Sequence, residues 1–181
     1  MLHESVIVAE IYNALRDWSA VRKKVLEDNS FQTRTLSTLK KRYGEVSRRL
    51  QRLSDFEIEL LAENNALYTK QLVWLSICRH YSLIKDFALE VIIPQYESAR
   101  FLIALEDFDA FYNRKAEWHQ NLDGASKLTK GKVRQVLFLM LKECNLIDNN
   151  NEIQYQQLDE RLEHVISEKS TEDLCLFPGV S

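Results

Sequence analysis

Apolar residues recur at intervals of three and four along almost the whole chain, and the strict alternation that marks a half-buried strand is nearly absent. Only four glycines and two prolines interrupt this pattern, so we expect short connections between the elements. The pattern therefore predicts an all-α protein built as a compact multi-helix bundle. Because no internal repeat or low-complexity tether divides the sequence, residues 1–181 should form a single domain.

Local signals place the helix boundaries. Ser19 has the chemistry of an N-cap for the second helix, and Ser54 with Glu57 has the spacing of a capping box that should start the fourth. A helix that approaches Pro94 should end before it, because proline lacks the backbone donor that a helix interior needs. The predicted helices span about residues 4–15, 19–28, 35–53, 54–64, 67–80, 82–93, 106–118 and 129–146, with one or two short helices within 157–176.

Two segments allow more than one interpretation, and two tryptophans are candidates for the core. The sequence LIDNNNEIQ at residues 146–154 is compatible with a tight hairpin or with a plain turn, since asparagine tolerates left-handed backbone. The apolar run VLFLML, which begins at Val136, could serve a partner helix, but a helix that is apolar all round more often forms the centre of a bundle. Trp18 and Trp74 lie on apolar stripes, and we expect them in the core.

The third predicted helix separates its residues by chemistry. On a helical wheel, its apolar residues fall within about 100 degrees of one another, the width of a core-facing stripe. They are Leu36, Leu39, Tyr43, Val46, Leu50 and Leu53. The cations lie opposite, with Arg34, Lys41, Arg48 and Arg52 within about 40 degrees, Arg42 and Arg49 on one shoulder and Lys40 on the other. Ser37 and Thr38 lie among them, and their hydroxyls can hydrogen-bond phosphate oxygens.

The charge on this helix contrasts with that of the whole chain. The chain carries a formal charge of -3, whereas residues 34–52 carry seven cations and one acid, Glu45. Like charges four residues apart repel each other, so most solvent faces of helices mix their signs. The excess could meet a polyanion, or it could meet the acidic C-terminal region at about 143–173, which has nine acids and two bases. Charge segregation alone leaves both alternatives open.

The residues before the third predicted helix favour the first alternative, a polyanion. The sequence DWSAVRKKVLEDNSFQTRTLSTLKKRYGEV gives a short helix, a break at Asn29 and Ser30, and a longer helix with a basic start. This is the layout of a helix-turn-helix, within a basic helical region of about residues 16–53. A second cluster of cations opens a later helix. Cations at a helix start oppose the macrodipole, so helix stability does not explain them. The cluster is either a secondary nucleic-acid contact or a solvated loop. Its members are Lys127, Lys130, Lys132 and Arg134.

The inventory of reactive groups argues against an enzyme. The four glycines are scattered singly, so no phosphate-cradling loop can form, and no GxSxG motif is present. Cys78 and His80 would point about 200 degrees apart on a helix, which does not suit a thiol and base pair. Glu117 and His119 alone rarely hold a metal, and we read His119 and Trp118 as packing residues at a helix end. We therefore expect no catalytic residue, no metal and no cofactor.

The whole-chain composition suggests where the protein acts. Three cysteines without a CxxC pair suit reduced thiols better than a disulfide framework, and no apolar run approaches the length of a membrane span. We expect a cytoplasmic protein without a membrane partner.

Several blocks of the sequence resemble one family. ESVIVAEIYNALRDWSAVRKKVLEDN, RTLSTLKKRYGEVSRRLQRLSDFEIELLAE, QLVWLSICRHYSLIKDFALEVI, FDAFYNRKAEWHQNL and KVRQVLFLMLKECNLID occur in this order. Together they resemble BrxA, the small component of the BREX bacteriophage-exclusion systems. The resemblance implies an all-helical fold similar to the antitermination factor NusB, a non-catalytic DNA-binding role, and other BREX proteins as partners. It transfers no residue-level site.

The residues and the resemblance together predict a protein that contacts duplex DNA mainly through backbone phosphates. The predicted contact residues are Arg34, Lys40, Lys41, Arg42, Arg48, Arg49 and Arg52, with Lys127, Lys130, Lys132 and Arg134 as a secondary set. The alternatives are a protein adaptor within the BREX complex and an RNA-binding protein by analogy to NusB.

Overall fold

The computed structural model of the protein describes residues 1–118, 124 and 126–180, and helices dominate this part of the chain. Its α-helices are α1 (Leu2–Leu15), α2 (Trp18–Glu27), α3 (Leu36–Leu50), α4 (Asp55–Ala62), α5 (Ala66–His80), α6 (Ser82–Phe87), α7 (Ile93–Glu97), α8 (Leu105–Ala116), α9 (Lys127–Glu143) and α10 (Glu160–Lys169). A π-helical turn occupies Ala88–Ile92 and a 3-10 helix Thr171–Leu176. The predicted all-α class is confirmed.

Capping side chains start several helices. At α4 the predicted capping box is present, with Ser54 Oγ accepting from the backbone N–H of Glu57 at 3.2 Å and the Glu57 carboxylate accepting from the N–H of Ser54 at 2.6 Å. The predicted N-cap of α2 is wrong. Asp17 caps this helix, accepting from the N–H of Ser19 at 2.7 Å, and Ser19 lies within the first turn.

Helix α5 is the centre of the bundle. Its residues from Gln71 to Cys78 are all buried, and α1, α3, α4 and α6 pack around it. Trp74 is fully buried, and its indole N–H donates to the carbonyl of Leu176 at 3.0 Å, which satisfies the one polar atom of the ring. The predicted core position of Trp74 is confirmed. Trp18 is partly buried and stacks on Tyr12 with the ring centroids 4.3 Å apart.

The helix that approaches Pro94 does not end there, so that prediction is wrong. Helix α6, the π-helical turn and α7 follow without a break from Ser82 to Glu97. Within the turn the backbone N–H of Ile93 donates to the carbonyl of Ala88, five residues earlier. Such a widened turn accommodates the ring of Pro94, which would crowd the carbonyl four residues earlier in a regular helix.

Residues 146–154 form the hairpin rather than the plain turn. Ile147 and Ile153 pair antiparallel, and the N–H of Asp148 donates to the carbonyl of Glu152 at 3.0 Å. The Asp148 carboxylate accepts from the N–H groups of Asn150 and Glu152 at 2.8 and 2.9 Å and so holds the tip closed.

Helix α8 ends at Ala116, earlier than predicted. Its aromatic residues Phe108, Phe111 and Tyr112 are buried, but Trp118 is 83% exposed, so the interpretation of Trp118 as a packing residue is wrong. His119 lies outside the described residues.

Helix α9 contains the run VLFLML and lies at the surface. Leu137, Phe138 and Leu141 are buried, whereas Val136 and Leu139 are 37% and 56% exposed. The prediction that this segment forms the centre of the bundle is therefore wrong, because only one side of α9 faces the core. Within the described ranges, no helix has the length and apolarity needed to cross a bilayer.

Candidate nucleic-acid interface

The connection between α2 and α3 spans residues 28–35, which is longer than the three or four residues of a helix-turn-helix turn. It begins at the predicted break. Asn29 adopts left-handed backbone with φ of 46°, and its side chain bonds the backbone of Thr33 twice, at 2.9 and 3.0 Å. Thr35 then caps α3 by accepting from the N–H of Thr38 at 3.2 Å. The two helices thus have the predicted order but not the tight turn of that motif.

The apolar stripe of α3 faces the core largely as predicted. Its buried members are Leu39, Tyr43, Val46, Leu50 and Leu53. Leu36 is 55% exposed and does not belong to the buried stripe. It is the first residue of the helix, and the described elements leave more than half of it exposed.

Six of the seven predicted contact cations are exposed on or beside α3. Arg34, Lys40, Lys41 and Arg52 are exposed and make no ion pair within the described part of the chain. Arg42 pairs with Glu4 at 3.3 Å and Arg48 pairs with Glu45, yet their side chains remain 55% and 57% exposed. We refer to these six residues as the α3 cation face.

Arg49 does not belong to that face, so its predicted exposure is wrong. The side chain is only 2% exposed. Its Nε donates to the carbonyl of Glu45 at 3.2 Å, and Nη1 lies 3.0 Å from the sulfur of Met1. The start of the chain packs over the shoulder of α3 that carries Arg42 and Arg49. Burial lowers the pKa of Arg49, but a guanidinium remains protonated in proteins.

Glu45 is the one acid within the cationic stretch. Its carboxylate accepts from the hydroxyl of Tyr81 at 2.7 Å and pairs with Arg48. Burial raises the pKa of Glu45, but the Tyr81 hydrogen bond and the charges of Arg48 and Arg49 lower it by more, so the net shift is downward. Glu45 is therefore ionised at neutral pH and satisfied by its own neighbours.

The acidic C-terminal region does not neutralise the α3 cation face. No ion pair joins the face to residues 143–173 among the residues that the structure describes. Asp173 of that region pairs with Arg79 at 2.7 Å instead, and Glu143 lies 3.7 Å from the N-terminal amine. The intramolecular alternative that the sequence left open is therefore not realised in this structure.

Gly44 lies at the middle of the α3 cation face, and sequence reasoning missed it. Lys40 and Lys41 lie one turn before it and Arg48 one turn after. A Cβ at this position would meet nothing within 4 Å, so packing within the molecule does not require glycine. Glycine inside a helix costs stability, and one common reason to keep it is close approach of another molecule to the backbone. A lone mid-helix glycine flanked by cations was the signal available in the sequence.

The secondary cluster on α9 is divided. Lys130 and Arg134 both pair with Asp109 of α8, at 3.4 and 2.6 Å. Lys127 and Lys132 are exposed and make no ion pair within the described residues. Two of the four predicted cations therefore serve helix packing, and two face solvent.

A groove of about 680 Å³ joins the α3 cation face to α9. From α3 it is lined by Ser37, Thr38, Lys41 and Arg42, and from α9 by Val136 and Met140. The α3 cation face therefore borders α9 at Val136 and Met140, and Lys132 of the second cluster lies one turn before Val136.

The candidate reactive groups have environments typical of structural residues. Cys78 is buried and its pKa lies well above its ordinary value, and burial raises the pKa of Cys144 to about 12. Both thiols are therefore protonated and unreactive at neutral pH. Burial and the charges of Arg52 and Arg48 lower the pKa of His80. Within the described ranges, no three His, Cys, Asp or Glu side chains come together as a metal site.

Comparison with known proteins identifies relatives of the chain. The sequence model of the BrxA family matches residues 1–170. The BREX protein BrxA of Bacillus cereus (strain H3081.97) is 26% identical over 149 residues, which cover 80% of this chain and 74% of that protein. The BREX protein BrxA of Escherichia coli O9:H4 (strain HS) is 23% identical over 148 residues, which cover 82% of this chain and 70% of that protein.

A solved structure shares the fold. The crystal structure of an uncharacterized protein from Magnetospirillum magneticum superimposes with a TM-score of 0.82 and 17% sequence identity, covering 100% of this chain and 94% of that chain. This likeness supports the helical fold, and the similarity to NusB stays a prediction.

Proposed function

The chain belongs to the BrxA family, and from this premise we propose that it is a non-catalytic, DNA-binding component of a BREX phage-defence system. The α3 cation face contacts duplex DNA through backbone phosphates, with Arg34, Lys40, Lys41, Arg42, Arg48 and Arg52 as the contact residues. Other BREX proteins are its partners, and it acts in the cytoplasm.

One observation carries this proposal: within the described residues, four of the six cations of the α3 cation face have no ion pair, and the two that are paired, Arg42 and Arg48, stay more than half exposed. Lys41 and Arg48 lie two helical turns apart, about 10.5 Å along the axis at 1.5 Å per residue. Duplex DNA carries about one negative charge per 1.7 Å of its axis, so a rod with this spacing meets several phosphates at once. Gly44, between the two cations, lets a strand approach the helix backbone.

The existing ion pairs do not oppose binding strongly. The pairs of Arg42 with Glu4 and of Arg48 with Glu45 involve cations that are more than half exposed. Exposed pairs contribute little to stability, so either guanidinium can turn to a phosphate at small cost. Because phosphate contacts carry no sequence information directly, we expect modest sequence selectivity.

An electrophoretic mobility shift with a random-sequence duplex at two salt concentrations tests this function. We expect retardation that weakens as salt rises, because binding releases counterions from DNA. Lys41→Glu and Arg48→Glu should each weaken binding to duplexes of any sequence by a similar factor. Arg100→Glu, which changes an exposed cation beyond α7, is the control and should have a smaller effect.

Other outcomes would point elsewhere. Retardation that is unchanged in Lys41→Glu and Arg48→Glu would show that the assigned face is wrong. Absence of retardation together with co-purification of BREX proteins would favour the protein adaptor, since a cation face also suits an acidic protein surface. Stronger competition by RNA than by DNA would favour the RNA-binding function that the NusB resemblance suggests.

A further inference from the structure

Helix α9 presents apolar residues to solvent beside the α3 cation face. Leu128 is 86% exposed, and Leu139 and Val136 are exposed to 56% and 37%. The helix packs on α5 and is joined to α8 through Asp109, and its opposite side is uncovered within the described structure. Clustered exposed apolar residues on a surface mark sites of interaction.

An apolar pocket of about 350 Å³ lies along one flank of this helix. Its walls come from α9 and from the segment around the start of α6, with Phe108 of α8 at its base. The apolar lining residues are Tyr81, Leu83, Ile84, Phe108, Val133, Val136, Leu137 and Met140. A lining of this kind offers phosphate oxygens few hydrogen-bond donors, so DNA is not its natural occupant.

The rim of the pocket carries one unpaired cation within the described residues. Its polar members are Lys132 and Glu45, and Glu45 is already bound by Tyr81 and Arg48. Lys132 has no ion pair within the described residues, and it also lines two other depressions along α9. Lys41 borders the groove that shares Val136 and Met140 with this pocket. The pocket is therefore apolar at its floor, its rim carries the unpaired cation Lys132, and Lys41 lies on the adjoining groove.

Gly131 marks a second place where the helix lacks a side chain. It lines two depressions on the flank of α9 away from the pocket, and a Cβ there would meet nothing within 4 Å. Glycine in a helix interior is less stable than alanine, and internal packing does not explain it here. The bare backbone allows another helix to approach α9 closely.

We propose that the exposed side of α9 is a docking surface for an acidic amphipathic helix of a partner protein. The apolar face of that helix fills the pocket beside Val136, and its carboxylates meet Lys132 and Lys127. The occupant is a helix because α9 is a rod of about 25 Å, at 1.5 Å per residue, with apolar positions spread along it. It is acidic because the unpaired charges at the edges are cations, which electrostatic complementarity matches to carboxylates. This surface adjoins the α3 cation face but includes none of its six cations.

Fluorescence anisotropy with a designed peptide tests the proposal. The probe is a fluorescein-labelled helix of leucine, glutamate and alanine with its leucines along one face. A peptide of the same composition with scattered leucines is one control, and a peptide with lysine in place of glutamate is the other. We expect the first peptide to bind and both controls to bind weakly or not at all.

Variants locate the binding. Val136→Asn and Lys132→Gln should each weaken binding of the acidic peptide by about tenfold, the effect of losing one good apolar or charged contact. Leu67→Asn, at a 49% exposed leucine at the start of α5, is the matched control and should bind like the parent.

Three results with the peptides would overturn the docking surface. These are no binding of the acidic peptide, equal binding of the scattered peptide, and binding that is unchanged in Val136→Asn and Lys132→Gln. Light scattering that shows a dimer, abolished by Val136→Asn, would assign the surface to a second copy of the chain and would overturn it too. The mobility shift of Val136→Asn with duplex DNA separates the two proposals, because failure of peptide binding with retained DNA retardation refutes only this one.

Discussion

At the scale of single residues, Arg79 is the most heavily engaged charge in the described structure. Its Nη1 and Nη2 donate to the two oxygens of Glu57 at 2.7 and 2.9 Å, and its Nε donates to Asp173 at 2.7 Å. Glu57 is fully buried and Asp173 nearly so. The guanidinium therefore ties α4 and the 3-10 helix near the C terminus to the central helix α5.

Replacing Arg79 by methionine should destabilise the protein by about 3–5 kcal/mol, because Glu57 would be left buried without its cation and Asp173 would keep only Lys85, at 3.8 Å. Urea denaturation of the parent and of Arg79→Met measures this loss. Arg114→Met, which removes an exposed pair with Glu90 at 3.9 Å, is the control and should cost less than about 1 kcal/mol. Equal midpoints for parent and Arg79→Met would refute the buried network.

The ionisation of Glu45 should make the free energy of unfolding depend on pH. Its pKa in the folded protein lies below the ordinary value of 4.5, so the ionised form stabilises the fold above that pH, and this stabilisation is lost as the pH falls through the folded-state pKa. The difference in unfolding free energy between the parent and Glu45→Gln should therefore be largest near pH 6 and shrink below about pH 4.5. Urea titrations at pH 6, 4 and 3 would reveal this trend. A difference that stays constant with pH would contradict the hydrogen bonding described for Glu45.

At the scale of elements, Gly44 should lower the stability of α3 and favour its binding to DNA. Gly44→Ala should stabilise the protein by about 0.5–1 kcal/mol, because alanine loses less entropy in a helix and its Cβ has open space. Thermal unfolding measures that gain. A larger side chain should instead separate the helix from a bound strand, so Gly44→Leu should weaken duplex binding while Gly131→Leu, on α9, should not. Parent-like DNA binding by Gly44→Leu would show that no strand approaches this backbone.

The elements also show how far sequence reasoning reaches. Periodicity predicted the order of the helices, the buried stripe of α3 from Leu39 to Leu53 and the capping box at Ser54, because these depend on neighbours along the chain. The continuation through Pro94 was missed, since a π-helical turn depends on one altered hydrogen bond. A helical wheel gives the direction of Arg49 but does not reveal that the start of the chain covers it. A helical wheel likewise does not reveal that one side of α9 is left uncovered by the described elements.

At the scale of the whole molecule, charge is distributed over distinct surfaces. The α3 cation face is open to solvent, and within the described residues no acid of residues 143–173 pairs with it. Asp173, for example, pairs with Arg79. The apolar pocket beside α9 adjoins the cation face through the groove that contains Lys41 and Val136. A protein arranged in this way can hold DNA on one surface and a partner on the next, which suits a small component of a larger defence system.

The central claim is that the α3 cation face neutralises DNA phosphates, and the slope of log binding constant against log salt concentration tests it most directly. Six exposed cations give a slope no steeper than about -5 for the parent, at roughly -0.9 for each neutralised phosphate. Lys41→Gln and Arg34→Gln should each make the slope shallower by about 0.9, and Arg100→Gln should leave it unchanged. A slope near zero for the parent, or one that Lys41→Gln and Arg34→Gln do not alter, would contradict the account.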